Sequence, residues 1–229
     1  MARTDVRTRL RASLVSFVLL LPGATFASPP AVDAVRASAR AAFEQVAETT
    51  PHARAVWRAG QFAPATVTGL AVRVAGRTPQ QRALSFVHEH EELVGTRAEH
   101  LALKDVRPSL RGVAVRFEQR HGERRVHGRE VVITMDQAGV VVGFTSTALP
   151  ITALGEARVS EARAQQIAQR ALPGLVVGDK PTPVIVASAE RAVPALSFFA
   201  GKPDELRAFR VVVDLNEGGV TSVVEITQR

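Results

Sequence analysis

The chain has 229 residues, 46% of them hydrophobic, with no cysteine, one tryptophan and no tyrosine. That length suffices for one elongated domain or two small ones to fold on packing alone, and the absent thiols exclude a disulfide framework, a thiolate nucleophile, a thiolate metal site and a lipoprotein anchor. The formal net charge is +7, but residues 1–27 hold four arginines against one aspartate, leaving +4 dispersed among acids; without a ladder of aromatics for bases to stack on, this argues against nucleic-acid binding.

The first 27 residues have the three parts of a secretory signal. Arg3, Arg7, Arg9 and Arg11 make a cationic start, Ala12 to Leu21 form an apolar run too short to span a bilayer, and Thr25-Phe26-Ala27 places small residues where a signal peptidase reads. Cleavage is expected after Ala27, giving a secreted or periplasmic chain. No later apolar run approaches the length of a membrane helix, so no membrane association is expected once the signal is removed.

Within the expected N-terminal helix and linker (28–65), Val35, Ala39, Ala42, Phe43 and Val46 recur at helical spacing and predict an amphipathic helix over 32–46. A first domain is expected over 66–150. It opens with a β-branched strand at 66–74, and Thr78, Pro79 and Gln81 then form a capping box that starts a helix running to Gly95. From Leu101 the period drops to two, in runs separated by Pro108, by His121-Gly122 and by Asp136 to Gly139, which predicts antiparallel hairpins. A second domain is expected over 151–229. Ser160 caps a helix over 161–171, and short strands follow at 184–187, 195–199, 209–215 and 220–226. The expected class is α+β, with a helix packed on an antiparallel sheet in each half.

The histidine-rich run His88-Glu89-His90-Glu91-Glu92 lacks the spacing of a thermolysin-type zinc site, in which two imidazoles stand one helical turn apart. On a continuous helix His88 and His90 would point about 200° apart, so no metal site is expected. There is no Gly-x-Ser-x-Gly, and Ser146 falls at a strand end. Glycines never cluster into a phosphate loop, and Asp136 and Asp214 precede turns. These patterns predict no enzyme and no cofactor.

Val115 to Ile133 resembles the fungalysin/thermolysin propeptide (FTP) motif, in which an aromatic, a glutamine, a turn glycine, a valine and a second glycine recur in order, as Phe117, Gln119, Gly122, Val126 and Gly128 do here. Ser160 to Ala164 and Phe209 to Val220 resemble the two ends of a PepSY-type domain. The pair in this order is similar to the pro-regions of thermolysin-like and fungalysin-like zinc proteases, and it implies two cystatin-like helix-on-sheet domains. It further implies a stand-alone chaperone or inhibitor of a secreted thermolysin-like zinc metalloprotease. The alternatives are a periplasmic PepSY-type sensor or binding module with no protease, and a pro-region separated from its zymogen. Phe117 and Gln119 are expected on one face, with Gly122 and Gly128 allowing a turn and a close backbone approach. Arg124 and Arg125 stand where the family usually carries an apolar residue and proline, and they are expected on an exposed turn as a partner contact.

Overall fold

The computed structural model describes residues 30–202 and 207–227, so the expected signal segment lies outside the described residues. Among the described residues the chain is α+β, with four α-helices and eleven strands joined in one mixed sheet.

Helix α1 (Pro30–Thr49) buries Ala39 and Val46 and packs Ala42 and Phe43 on the first core, as the sequence spacing predicts, while Val35, expected on the same stripe, is exposed. A three-residue strand follows, β1 (Arg54–Val56), paired antiparallel with β2 (Thr66–Val72). It falls inside the segment expected to be helix and linker, because three residues are too few to show a period. Helix α2 (Pro79–Glu89) starts at the expected capping box: the Gln81 N–H donates to the Thr78 hydroxyl at 3.2 Å, and the Thr78 N–H donates to the Gln81 side-chain oxygen at 3.2 Å.

The expected continuous helix to Gly95 is instead broken at His90, whose φ of −133° and ψ of 39° separate α2 from the short α3 (Glu91–Val94). The last turn of α2 closes with a bifurcated N–H, as helix ends commonly do. The His90 ring lies 4.8 Å from Phe86, which in turn packs on Phe144, and the His90 N–H is shared between the Phe86 and Val87 carbonyls. Gly95, at φ 82°, closes α3 in the left-handed conformation.

Four strands then form a meander: β3 (Leu101–Ser109), β4 (Gly112–His121), β5 (Arg124–Asp136) and β6 (Val141–Ser146). Pro108, expected to separate strands, lies within β3. Its missing N–H is tolerated because β3 is an edge strand paired with β4 alone. In the second half, α4 (Glu161–Ala171) is capped by Ser160, whose hydroxyl accepts the Arg163 N–H at 3.3 Å. The strands here are β7 (Val176–Val177), β8 (Thr182–Ala187), β9 (Ala192–Gly201), β10 (Arg207–Asp214) and β11 (Val220–Thr227).

The sheet is antiparallel throughout except at one place. β5 pairs with β6 over Val131–Met135, and along the same edge its first residues, Arg125 and Val126, pair in parallel with Val184 and Ile185 of β8. The hairpin segment thus carries the hydrogen bonds that unite the halves. Under α2 and α3 lies a core containing Phe86, Leu93, Phe117, Ile133 and Phe144, while Ala164 and Ala168 of α4 cover Leu196, Phe198, Val211 and Val213. A third cluster sits at the seam, where Val126 and Leu149 meet Phe62, Ile185 and Ala187.

Phe117 has no exposed surface and sits inside the first core. Phe117→Ala is expected to cost about 3–5 kcal/mol, the usual range for truncating a buried phenylalanine; a denaturant unfolding curve measures it, and a loss under about 1 kcal/mol would show that the core collapses around the cavity.

Candidate functional site

Of the five motif residues, Gln119 and Val126 lie at the seam, Phe117 lies in the first core, Gly122 at the hairpin turn and Gly128 within β5. Phe117 and Gln119 point to the same side of β4, as their alternation predicts. Gln119 is 1% exposed, and its amide spans the backbone of Leu149: Nε2 donates to the Leu149 carbonyl at 2.6 Å, and Oε1 accepts the Leu149 N–H at 3.1 Å. The clamp ties β4 to the chain leaving the first half. It also satisfies two backbone groups on a segment that has no strand partner there. Val126 is fully buried in the seam cluster.

Gly122 opens the two-residue connection between His121 and Arg124 at φ 58°, as a hairpin with glycine at its first central position requires. Gly128, at φ 68°, sits where β5 departs from even pairing with β4. Neither glycine is closely approached, since a Cβ at either would meet nothing within 4 Å. The expected close backbone approach is therefore absent, and backbone conformation alone accounts for both glycines.

Arg124 is exposed beside the turn, whereas Arg125 is not a turn residue. Arg125 is half-buried within β5, pairs with Val184 of β8, and places Nη1 3.8 Å from a Glu118 carboxylate oxygen. Nothing in the local sequence separates the two arginines; the parallel pairing with a strand some sixty residues away does.

Among the described residues no group of three or more His, Cys, Asp or Glu side chains could hold an ion. His88 is exposed and lies 3.5 Å from Glu91, and burial lowers the pKa of His90 against the opposing pull of Glu89. Ser146 donates its hydroxyl hydrogen to the Val94 carbonyl at 2.8 Å and accepts the Ala148 N–H. Asp136 accepts the Val140 N–H, while Asp214 accepts those of Asn216 and Glu217 and faces Arg191. Each of these side chains is occupied in holding a turn or a strand end.

A concentration of charge lies instead where the two halves meet. Lys104, Arg125, His127, Arg129 and Arg210 line a cleft of about 300 Å³ together with Glu118 and Glu130, and Val224 and Ile226 form its apolar wall. Arg129 is partly structural: Nη1 donates to the Thr147 carbonyl at 3.2 Å, and Nη2 donates to the Ala187 carbonyl at 2.6 Å, a second clamp between the halves. Glu130 is held by Lys104 and by Arg116 at 2.9 Å. Burial alone would raise the Glu130 carboxyl, but the two cations outweigh it and keep the group below its ordinary value. Burial first, and then Arg125, Arg210 and Arg129, lower the pKa of His127. Sequence reading missed Arg129, His127 and Arg210. The available signal was Arg210 itself, a charge that interrupts the otherwise apolar strand Phe209-Arg210-Val211-Val212-Val213.

No protein-family model matches the chain, and no curated protein matches it. Among solved structures, the Bacillus megaterium YpeB C-terminal domain is similar at a TM-score of 0.40 and 13% identity, over 86% of this chain and 97% of that one.

Replacing Gln119 by Leu keeps the volume but strands the Leu149 N–H and carbonyl in the seam, and is expected to cost about 1–3 kcal/mol in denaturant unfolding; an unchanged midpoint would show that the clamp contributes nothing. Glu130 gives a pH signature. Its folded pKa lies below the unfolded one, so its stabilisation is complete above the ordinary carboxyl value of about 4.3 and is lost as pH falls through the folded value. Glu130→Gln should therefore be less stable than the parent at pH 7, with the difference shrinking towards about pH 3; a constant difference across that range would remove the ion pairs as its cause.

Proposed function

We propose that the chain is a non-catalytic, pro-region-like binding protein that acts on a secreted thermolysin-like zinc metalloprotease as folding chaperone, inhibitor or both. The observation that carries this reading is the seam. Five residues in the order of the propeptide motif build a hairpin whose buried glutamine and parallel pairing lock two helix-on-sheet halves into a single sheet. A rigid sheet of that extent suits recognition of a protein surface. Binding a folding intermediate more tightly than the unfolded chain lowers the folding barrier, and the same complementarity towards the finished enzyme blocks it.

The polar groups most suggestive of chemistry are, as described, engaged in turns, strand ends and clamps. The far edge of the sheet is different. Among the described residues strand β11 pairs with β10 on one side alone and leaves Val220, Val223 and Val224 exposed, as a surface that accepts a partner would. An effective interface of this kind needs on the order of 1,600 Å² in total, which a sheet spanning both halves can supply.

The test is refolding. A thermolysin-like protease encoded beside this chain, denatured and diluted with and without it, is expected to regain activity faster at equimolar chain and then to be held inhibited by excess. Equal recovery and equal final activity in both conditions would overturn the protease reading and leave the binding module without a protease. A stoichiometric metal whose removal abolishes a proteolytic activity of the chain itself would overturn the non-catalytic assignment.

A further inference from the structure

Arg210 sits in the middle of a row that crosses three strands. It lies opposite Phe199 of β9 and opposite Val224 of β11, and both neighbours are large apolar residues about half exposed, at 48% and 50%. The Arg210 guanidinium carbon lies 5.0 Å from the centre of the Phe199 ring, and its Nε is buried without a hydrogen-bond partner. No carboxylate within salt-bridge reach of it is found among the described residues. The acids of the cleft are already engaged: Glu130 with Lys104 and Arg116, and Glu118 with Arg120 at 3.4 Å and Arg125 at 3.8 Å.

The fold thus brings Arg125, Arg129 and Arg210 around His127, with Glu118 partly compensating Arg125, and the burial of Arg210 and the charge of Arg125 both disfavour the Arg210 cation. Cations gathered in a partly dry cleft strengthen their interaction with any anion that enters, because the effective dielectric there is lower than in water. Arginine also offers a planar fork that matches a carboxylate in two parallel hydrogen bonds.

We propose that this cleft is a carboxylate-binding site, and that its occupant is an acidic side chain carried by an extended segment of a partner protein. The assignment rests on the binding-protein reading above but not on the partner being a protease. Two features favour a peptide over a free anion. The cation lies on one sheet face between half-exposed apolar side chains, surface that a bound chain covers and a free anion leaves bare, and a strand-like segment alternating acidic and apolar residues turns all of its acids to one face. The row also ends at β11, whose outer edge is open to an added strand. The cleft faces Lys104, Glu118, Arg125, Arg129, Glu130 and Arg210 as its charged groups, with His127 among them. An entering carboxylate raises the pKa of His127, and by linkage the segment binds more tightly as His127 gains its proton.

Calorimetric titration of the purified chain with a blocked peptide of alternating Val and Glu, with its Val and Gln counterpart, and with inorganic phosphate tests the assignment. The Glu peptide is expected to bind about tenfold or more tightly than the Gln peptide, and Arg210→Gln to weaken it about tenfold at unchanged Tm. Arg163→Gln, the same charge change on exposed α4, should bind as the parent does. The His127 ring proton, followed by NMR, should titrate at higher pH when the Glu peptide is present. Equal binding of the two peptides, no binding of the Glu peptide at millimolar concentration, or full affinity in Arg210→Gln would overturn the site. Phosphate binding as tightly as the Glu peptide would make it a free-anion site and overturn the peptide assignment. The two readings fail separately: peptide binding with no effect on protease refolding leaves the site and sinks the protease, while refolding assistance undiminished in Arg210→Gln leaves the protease and removes the cleft.

Discussion

Everything distinctive in this structure depends on strand β5 giving one edge to two partners. Its later residues pair with β6 and complete the first half, and its first residues pair with β8 and begin the second. A parallel register two residues long cannot hold two halves together by itself, so the seam is reinforced by side chains. Gln119 grips the Leu149 backbone, Arg129 bridges the Thr147 and Ala187 carbonyls, and Val126 fills the apolar space between. Hydrogen bonds of buried side chains to backbone carry little net energy when made and cost much more when broken. Their main effect here is on specificity, since one arrangement of the halves satisfies them and others leave them bare.

Fixing the halves also fixes where charge accumulates. Arg116 and Glu130 make an ion-pair network with Lys104, Asp105 and Arg107, in which cations and acids alternate. Near the seam that alternation fails. β5 brings Arg125, His127 and Arg129, and β10 brings Arg210, while the nearby acids already have partners. The first half supplies Lys104, Arg125, His127 and Arg129, and the second adds Arg210 across the cleft although β8 and β9 lie between β5 and β10 in the sheet. The same join sets an apolar wall of Val224 and Ile226 against the cations, so the cleft combines the two properties that recognition of an amphipathic segment requires.

What could be read from the sequence is what short-range physics controls. The capping box at Thr78 and the cap at Ser160 depend on residues three apart, and the structure shows both hydrogen bonds. The alternation of β4 and β5 places Phe117 and Gln119 inward by period alone, and the hairpin turn needs little more than Gly122. The two-residue β7 and three-residue β1 escaped because a period cannot show in so few positions. Helix continuity through His90 failed for another reason: the helical spacing of Ala83 to Val94 is sound, but a side-chain period does not report the dihedrals of one residue, and His90 leaves helical geometry.

Fold class and most element positions were thus determined by the sequence itself, because caps, turns and alternation are local and each is repeated along the chain. The tertiary structure alone decided that Arg125 is a strand residue at a seam and not a turn residue beside Arg124, that Gly128 serves conformation and not close approach, and that Arg210 shares a cleft with His127. The first and last of these depend on the halves being joined through the parallel pairing of β5 with β8, a contact between residues about sixty positions apart, and the second on the irregular pairing of β5 with β4. No local period encodes such a pairing, because its free energy resides in partners that the strand meets only once the chain has folded.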